Sequence, residues 1–234
     1  ETILEYDRNH LGAMLALANI AARRRDSDAV VSWLTRASDA HPKSAGPRLR
    51  LIRHYGALRE FRKALAVARE LEQNVPDNGR VLEALGRTET AAGQALSAVS
   101  TFRRLTALTP KSARNMGLLA AAQIAAKDPQ GARDTLKQAI AIDLRYLPVR
   151  VALVELEGRN GNFGEAMSLA RELLKLRPKN AVGDLLVGDI HVRQKQYDQA
   201  IAAYDRGLAK SDTSSLAVRR YNARRRAGQT AKAL

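Results

Sequence analysis

The sequence predicts an all-α chain made of repeated helix-turn-helix units, and two features carry that prediction. The first is a column of prolines: Pro42, Pro76 and Pro110 lie 34 residues apart, and Pro178 follows after twice that step. The second is a set of apolar columns with the same step. Alanine occupies one of them, at Ala64, Ala98, Ala132, Ala166 and Ala200. A fixed step of this length is typical of stacked repeat units.

Within one step the apolar residues have helical spacing. Leu82, Leu85, Gly86 and Glu89 fall three and four residues apart and share one face of a helix. After Gly93 the pattern resumes at Ala95, Ala98, Val99, Phe102 and Leu105. The proline column follows this second helix, and proline both stops a helix and biases the preceding residue away from helical angles. Each unit is therefore predicted to be two helices joined by short turns.

Small and large residues also keep the step of 34. A small column, in which close helix packing is expected, contains Ala18, Gly86, Ala120 and Gly188 but is interrupted by the bulky Ile52 and Val154. A large column runs through Leu17, Leu51, Leu85, Leu119, Leu153, Val187 and Tyr221. In the proline column, Leu144 and Asp212 replace proline. These departures put the local geometry in doubt but not the repeat pattern.

The columns and paired helices resemble the tetratricopeptide-repeat (TPR) family, which implies a right-handed α-solenoid. Six repeats are predicted, over residues 11–44, 45–78, 79–112, 113–146, 147–180 and 181–214. Residues 1–10 resemble the tail of a preceding repeat, and residues 215–234 the first helix of a truncated seventh repeat or a cap. Because neither end has the polar character of a terminal repeat, we expect the chain to be a fragment of a longer array, with its native start missing.

Composition narrows the class of partner. The formal net charge of +15 attracts anions such as acidic peptides, acidic polysaccharides, anionic lipids or nucleic acid. The absence of cysteine excludes disulfides and thiolate metal sites. No apolar stretch approaches the length needed to span a bilayer.

The residue types needed for catalysis do not occur in a recognisable arrangement. His10, His41, His54 and His191 are never three or four residues apart, so they form no helical metal pair. Glycine-rich phosphate loops and nucleophile-elbow sequences are also missing. We therefore predict a chain that is not an enzyme, with no cofactor and no metal.

The candidate binding residues follow from the TPR resemblance, which implies that the first helix of each repeat lines a concave, peptide-binding face. The inward places of the first four repeats contain Asn19, Arg23, Arg53, Arg80, Arg87 and Arg114. Arg53 and Arg87 are one repeat apart, as are Arg80 and Arg114, so stacking would align each pair into a short basic ladder. Arginine suits bidentate capture of a carboxylate or phosphate.

Self-pairing of these charges is the competing interpretation. Arg87, Arg159 and Arg193 each follow an acidic residue by four positions, namely Glu83, Glu155 and Asp189. Such helical pairs stabilise by roughly 0.2–0.5 kcal/mol. Arg53 has no acidic residue three or four positions away on its helix, which makes it the sharpest candidate.

A narrower resemblance involves the runs LPVRVALVELE (147–157), EAMSLAREL (165–173), RPKNAVG (177–183) and VGDI (187–190). They are similar to the TPR lipoprotein of the bacterial exosortase (PEP-CTERM) sorting system. That resemblance implies an extracytoplasmic array, lipid-anchored outside this segment and linked to exopolysaccharide production. A bacterial periplasmic or membrane-anchored location is accordingly favoured over the cytoplasm.

The predicted function is a protein–protein scaffold that holds a partner segment, with acidic character, on its concave face. One alternative is a basic solenoid that binds an anionic polymer, either polysaccharide or nucleic acid. The arginines at 219, 220 and 224–226 spread around a helix, and nearby Tyr221 belongs to the large column, so nucleic acid is the less favoured polymer. A second alternative is the substrate-recruiting array of a larger enzyme such as a glycosyltransferase.

Overall fold

The computed structural model describes residues 2–229, and that part of the chain contains fourteen α-helices and no strand. The helices form two compact units, which meet in sequence between Asp128 and Pro129. The first unit contains α1 (Thr2–Tyr6), α2 (Leu11–Arg23), α3 (Ser27–Ala40), α4 (Ala45–Ala57), α5 (Phe61–Asn74), α6 (Gly79–Ala91), α7 (Ala95–Leu108) and α8 (Ala113–Ala125). The second contains α9 (Pro129–Ile142), α10 (Leu147–Arg159), α11 (Phe163–Leu176), α12 (Val182–Arg193), α13 (Tyr197–Lys210) and α14 (Ser214–Arg226).

The first helices α2, α4, α6, α8 and α10 begin 34 residues apart, at the places where the repeat step predicts them. Residues 230–234 of the predicted last segment, and residue 1 of the predicted first one, lie outside the described residues. The division into six repeats remains a prediction.

The turns that join the two helices of each hairpin share one backbone conformation. The residue two places before the second helix has a positive φ, between 59° and 81°, at Arg25, Arg59, Gly93, Lys127, Gly161 and Lys195. Glycine adopts this conformation without strain, whereas lysine and arginine are strained there. Asp26 then caps α3, accepting a hydrogen bond from the Ala29 amide at 3.0 Å.

Residue size is matched between the two helices of a hairpin. A Cβ built on Gly86 would lie 2.7 Å from the Phe102 ring, and one on Gly188 would lie 2.3 Å from Tyr204, so only glycine leaves room for these rings. Conversely, the bulky Ile52 shares its core cluster with the alanine that occupies the place of Phe102 in its own hairpin, Ala68.

The second bulky departure follows the same rule. Val154 packs in one core cluster with Ala170, which again occupies the place of the large partner. The alanine column after the turn is almost completely enclosed, since its five members are at most 1% exposed. Size exchange across the hairpin therefore preserves the packing density where the small column is interrupted.

One expectation from the sequence is wrong in the last helix, namely that Tyr221 is a core residue. Tyr221, placed in the large column, is 37% exposed, and the buried residues of α14 are Leu216 and Ala223. The positive-φ positions explain the difference, because they advance by 34 residues up to Lys195 and by 33 to Gly228. The connection between α13 and α14, residues 211–213, is one residue shorter than the first three proline turns, so Tyr221 falls one place beyond the large column.

Candidate functional site

The first helices of neighbouring repeats contact each other directly within each unit, α4 against α6 and α10 against α12. Their side chains on that side form what we call the first-helix face. In the first unit the predicted binding residues all belong to first helices, α2, α4, α6 and α8. The face contains an apolar groove of about 340 Å³ between α4, α5 and α6. Its lining residues are Leu49, Ile52, Arg53, Gly56, Phe61, Ala64, Ala84, Arg87, Thr88 and Ala91.

The groove has an open floor because of Gly56. A Cβ at this position would meet no atom within 4 Å, so the missing side chain contributes to the depth of the groove. Ile52 and Ala64 belong to the core cluster beneath it. The groove therefore offers a ligand an apolar surface with two guanidinium groups, those of Arg53 and Arg87, beside it.

Arg53 is exposed and lies between two depressions. Besides the apolar groove it lines a cavity of about 310 Å³ between α2, α3 and α4, together with Asn19, Arg50 and His54. Within residues 2–229, the Arg53 side chain makes no ion pair and no hydrogen bond. Its guanidinium is thus available to a ligand in either depression.

Arg87 lines the same groove as Arg53, in agreement with the predicted alignment of these two arginines. Its charge is already engaged, since Arg87 Nε donates to Glu83 Oε1 at 2.9 Å. Arg114 donates to both oxygens of the same carboxylate at 2.7 and 2.6 Å. These hydrogen bonds, that from Arg114 first, lower the pKa of Glu83 below its ordinary value.

Glu83 therefore joins Arg87 and Arg114 in one bridge, while the predicted ladder of Arg80 with Arg114 stays a prediction. Asn19 is also engaged, because its Oδ1 accepts a hydrogen bond from Arg50 at 3.0 Å. Arg23 and Arg80 are exposed and line neither depression. Only part of the predicted set, centred on Arg53, is brought together around an apolar surface.

The ion pairs predicted for the fifth and sixth repeats differ in outcome. Arg159 pairs with Glu155 at 3.5 Å, as the spacing predicts. The predicted Asp189–Arg193 pair is wrong: Asp189 instead pairs with Arg219 at 2.6 Å and accepts a hydrogen bond from the Tyr204 hydroxyl at 2.7 Å. A partner from another helix therefore replaces the neighbour four residues away.

The histidines serve local structure. His10 caps α2 through Nδ1, at 3.1 Å from the Ala13 amide. His41 contacts the Asn9 carbonyl at 2.6 Å, and His54 contacts the Ser27 hydroxyl at 2.9 Å. Within the described chain no group of three or more potential metal ligands is found.

Three buried carboxylates, those of Glu89, Glu157 and Asp184, were not identified from the sequence. Glu89 on α6 and Glu157 on α10 lie two repeat steps apart and are 5% and 1% exposed. Two sequence signals could have identified them: Glu89 shares the apolar helix face of Leu82 and Leu85, and Glu157 has the same position in the step.

Stacked helical hairpins of this kind define a class of repeat protein, and comparison with known families identifies it. A tetratricopeptide-repeat family model matches residues 49–113 and 151–215, more than half of the chain. The chain therefore belongs to the TPR family. No curated protein sequence matches it.

Solved structures share the fold. A TPR protein from Parabacteroides merdae ATCC 43184 aligns with a TM-score of 0.77 at 14% identity, over 95% of this chain and 89% of that one. YrrB, described as a TPR protein with an unusual peptide-binding site, aligns with a TM-score of 0.54 at 15% identity, over 79% and 95%. The Cut9–Hcn1 hetero-tetramer of the APC/C contains a chain that aligns with a TM-score of 0.64 at 15% identity, over 97% and 43%.

These relatives confirm the predicted class, an all-α solenoid of stacked TPR hairpins. TPR proteins bind peptides or proteins and are generally non-catalytic scaffolds, so the fold indicates a protein-interaction scaffold. None of the helices within residues 2–229 has the length and apolarity that crossing a bilayer requires.

Proposed function

We propose that this chain is a non-catalytic scaffold that binds a partner segment on its first-helix face, with the apolar groove beside Arg53 as the anchoring position. The observation that carries the proposal is the combination found there: about 340 Å³ of apolar groove and a guanidinium without a protein partner in the described chain. The segment that fits has an apolar side chain next to a carboxylate. The apolar group fills the groove over Gly56, and the carboxylate pairs with Arg53.

Glu83 restricts the number of acidic groups that the face accepts. Because it neutralises part of the charge of Arg87 and Arg114, a ligand carboxylate gains more from Arg53 than from either of them. One acidic residue at a fixed distance from the apolar anchor is therefore favoured over a long acidic tract. This distinguishes the proposed ligand from an anionic polymer.

The test uses selection from a random-peptide display library on the wild-type chain, followed by affinity measurements on the selected peptides. Gly56→Leu fills the groove, and it is compatible with the fold because a Cβ there meets open space. Gly164→Leu on α11 is its matched control, since Gly164 has equally open surroundings outside the groove. Arg53→Glu tests the charge, with exposed Arg103→Glu on α7 as the control.

We expect the selected peptides to share an apolar residue near an acidic one. Arg53→Glu should weaken binding about tenfold or more, the usual effect of losing a hydrogen bond to a charged group. Gly56→Leu should weaken binding as well, because the added side chain takes the space of the apolar anchor. Both control variants should bind like the wild type. Equal binding by all four variants would place the site elsewhere, and binding that disappears for every peptide at high salt would favour the anionic-polymer alternative.

We further propose that the partner belongs to an extracytoplasmic bacterial system for exopolysaccharide export or protein sorting, with the chain carried by a lipid anchor outside this segment. The support is the resemblance of residues 147–190 to the exosortase-associated lipoprotein. In-cell cross-linking from position 53, followed by mass spectrometry, tests it: cross-links to export or sorting proteins would support the assignment, and cross-links confined to cytoplasmic proteins would refute it.

A further inference from the structure

A second surface, in the unit that begins at Pro129, lies on the turns rather than on the first helices. Leu144 and Leu176 are 62% and 50% exposed. With Leu147, Arg145 and Arg177 they line a depression of about 270 Å³. Leu144 is the residue that replaces proline in the repeat pattern, so this apolar protrusion is specific to its repeat.

The same turns carry a cluster of positive charge. Arg145, Lys175, Arg177 and Lys179 are exposed, and within residues 2–229 their side chains make no ion pair. Two acidic residues lie nearby, and only Glu172 forms an ion pair within the described chain, so the four cations outnumber the carboxylates. Asp143 accepts a hydrogen bond from the Arg145 amide at 2.8 Å, and Glu172 pairs with Arg150 at 3.5 Å.

We propose that this turn patch, formed by Leu144, Arg145, Lys175, Leu176, Arg177 and Lys179, docks the chain on an anionic lipid surface. Long cationic side chains reach lipid phosphates while neighbouring apolar groups enter the acyl boundary, which is the combination that interfacial binding requires. A fluid lipid layer accepts leucines that protrude from turns, whereas a folded partner would need a complementary pocket.

The patch is distinct from the first-helix face, so lipid binding goes beyond the scaffold function proposed above. In the unit from Pro129 onward, the first-helix face is formed by α10 and α12, whereas the turn patch follows the second helices α9 and α11. Docking through these turns would leave the first helices of the same unit, α10 and α12, accessible.

The structure offers a variant that removes the protruding leucine without disturbing the turn. The Tyr146 amide donates to the Asp143 carbonyl at 3.2 Å, and the equivalent bond closes the turn at Pro178, from the Asn180 amide to the Arg177 carbonyl at 2.9 Å. No backbone hydrogen bond within the described chain uses the Leu144 amide. Leu144→Pro therefore restores the proline column at no cost in hydrogen bonding.

The outer contact of this turn is also conserved between repeats. The Leu144 carbonyl accepts a hydrogen bond from Arg150 at 2.8 Å, and the Pro42 carbonyl accepts one from Arg48 at 3.1 Å. A proline at position 144 can accept in the same way. Loss of lipid binding in this variant would then report the missing side chain rather than an altered turn.

The experiment is flotation with phosphatidylcholine vesicles, with and without about one-third phosphatidylglycerol. The wild-type chain should float only with the anionic vesicles. Leu144→Pro should weaken that binding several-fold. Arg145→Glu/Arg177→Glu should weaken it more than tenfold, since each cation near an anionic surface contributes a factor of about five.

Arg103→Glu/Lys127→Glu, which changes the net charge equally at exposed positions outside the patch, should float like the wild type. Thermal unfolding followed by circular dichroism checks that every variant is folded. The proposal is overturned if the wild type does not float with anionic vesicles, if the patch variants float equally well, or if the control loses as much binding. A patch that serves an acidic protein segment instead would give the first of these results.

Discussion

Glu89 and Glu157 occupy the same position of the repeat, at the ends of α6 and α10, and are held in opposite ways. Both carboxylates are buried. Glu89 accepts a hydrogen bond from the Thr101 hydroxyl at 2.7 Å and has no ion pair within the described residues. Glu157 is paired with Arg133 through both of its oxygens, with Nη2 to Oε2 at 2.9 Å, and also accepts from Asn162 at 2.6 Å.

The two environments shift the pKa in opposite directions. Burial raises the pKa of Glu89 above its ordinary value, and the Thr101 hydroxyl offsets only part of that effect. The hydrogen bonds from Arg133 lower the pKa of Glu157 despite its burial, with a further contribution from Asn162. The repeat fixes where a carboxylate is buried, but the facing second helix decides whether it is stabilised as a charge.

The largest effect that the comparison predicts is from removing one member of the Glu157–Arg133 pair. The Arg133 side chain is only 19% exposed, so Glu157→Leu leaves a largely enclosed guanidinium without its counter-charge. We expect a loss of about 3 kcal/mol in the free energy of unfolding, at the low end for breaking a buried pair. Urea denaturation at neutral pH measures it.

A compensating variant distinguishes loss of the pair from loss of packing. One repeat step after Arg133 the chain has Met167. Glu157→Leu/Arg133→Met therefore replaces the ion pair by two apolar residues, of which methionine already occurs at this place in the next repeat. This double variant should recover most of the lost stability. Glu155→Gln, which breaks the exposed pair with Arg159, should cost less than about 0.5 kcal/mol. Similar losses for Glu157→Leu and Glu155→Gln would contradict the argument.

The helices were well predicted because the sequence patterns that indicate them recur along the chain. The alanine column recurs at five successive steps, and the proline column is interrupted only at Leu144 and Asp212. Their spacing places α2 to α13 without any knowledge of contacts. It also identified Ile52 and Val154 as irregular. Their compensation by Ala68 and Ala170 was missed, although those alanines can be recognised once residues 16 positions apart are known to face each other.

Charge pairing was less predictable than the fold. Arg133 and Glu157 are 24 residues apart and meet because two hairpins stack, and the Glu83–Arg114 contact likewise joins neighbouring repeats. Spacing along a single helix predicted Glu83–Arg87 and Glu155–Arg159 correctly but failed for Asp189, whose partner Arg219 is 30 residues away. The repeat period alone does not indicate which side chains of neighbouring helices can reach each other.

A smaller effect is expected at the neutral partner of Glu89. Thr101→Val removes the hydroxyl that donates to the buried carboxylate while nearly keeping its volume. The free energy of unfolding at neutral pH should fall by about 1–2 kcal/mol, the cost of leaving a buried acceptor without its donor. Thr106→Val, at a half-buried position whose hydroxyl only bonds a carbonyl of its own helix, is the control. An equal loss of unfolding free energy in both variants would mean that the hydrogen bond to Glu89 does not stabilise the fold.

The smallest effect is a difference in pH dependence, and its sign separates the two carboxylates. Since the folded pKa of Glu89 is raised, the folded chain binds the extra proton between the ordinary pKa and the raised one. Its contribution to stability is full at lower pH and falls as the pH rises through that window. Since the folded pKa of Glu157 is lowered, its contribution is full above the ordinary value and falls as the pH drops towards the lowered one.

Glu89→Gln and Glu157→Gln each remove the contribution of one carboxylate. Subtracting the free energy of unfolding of the variant from that of the wild type, at each pH, gives this contribution. The wild-type advantage over Glu89→Gln should decrease as the pH is raised from the ordinary glutamate range, whereas the advantage over Glu157→Gln should increase with pH below that range. A single group gives a slope of at most about 1.4 kcal/mol per pH unit. Slopes of the same sign for both variants would show that the Thr101 and Arg133 environments do not hold the two carboxylates differently, because burial alone would then govern both.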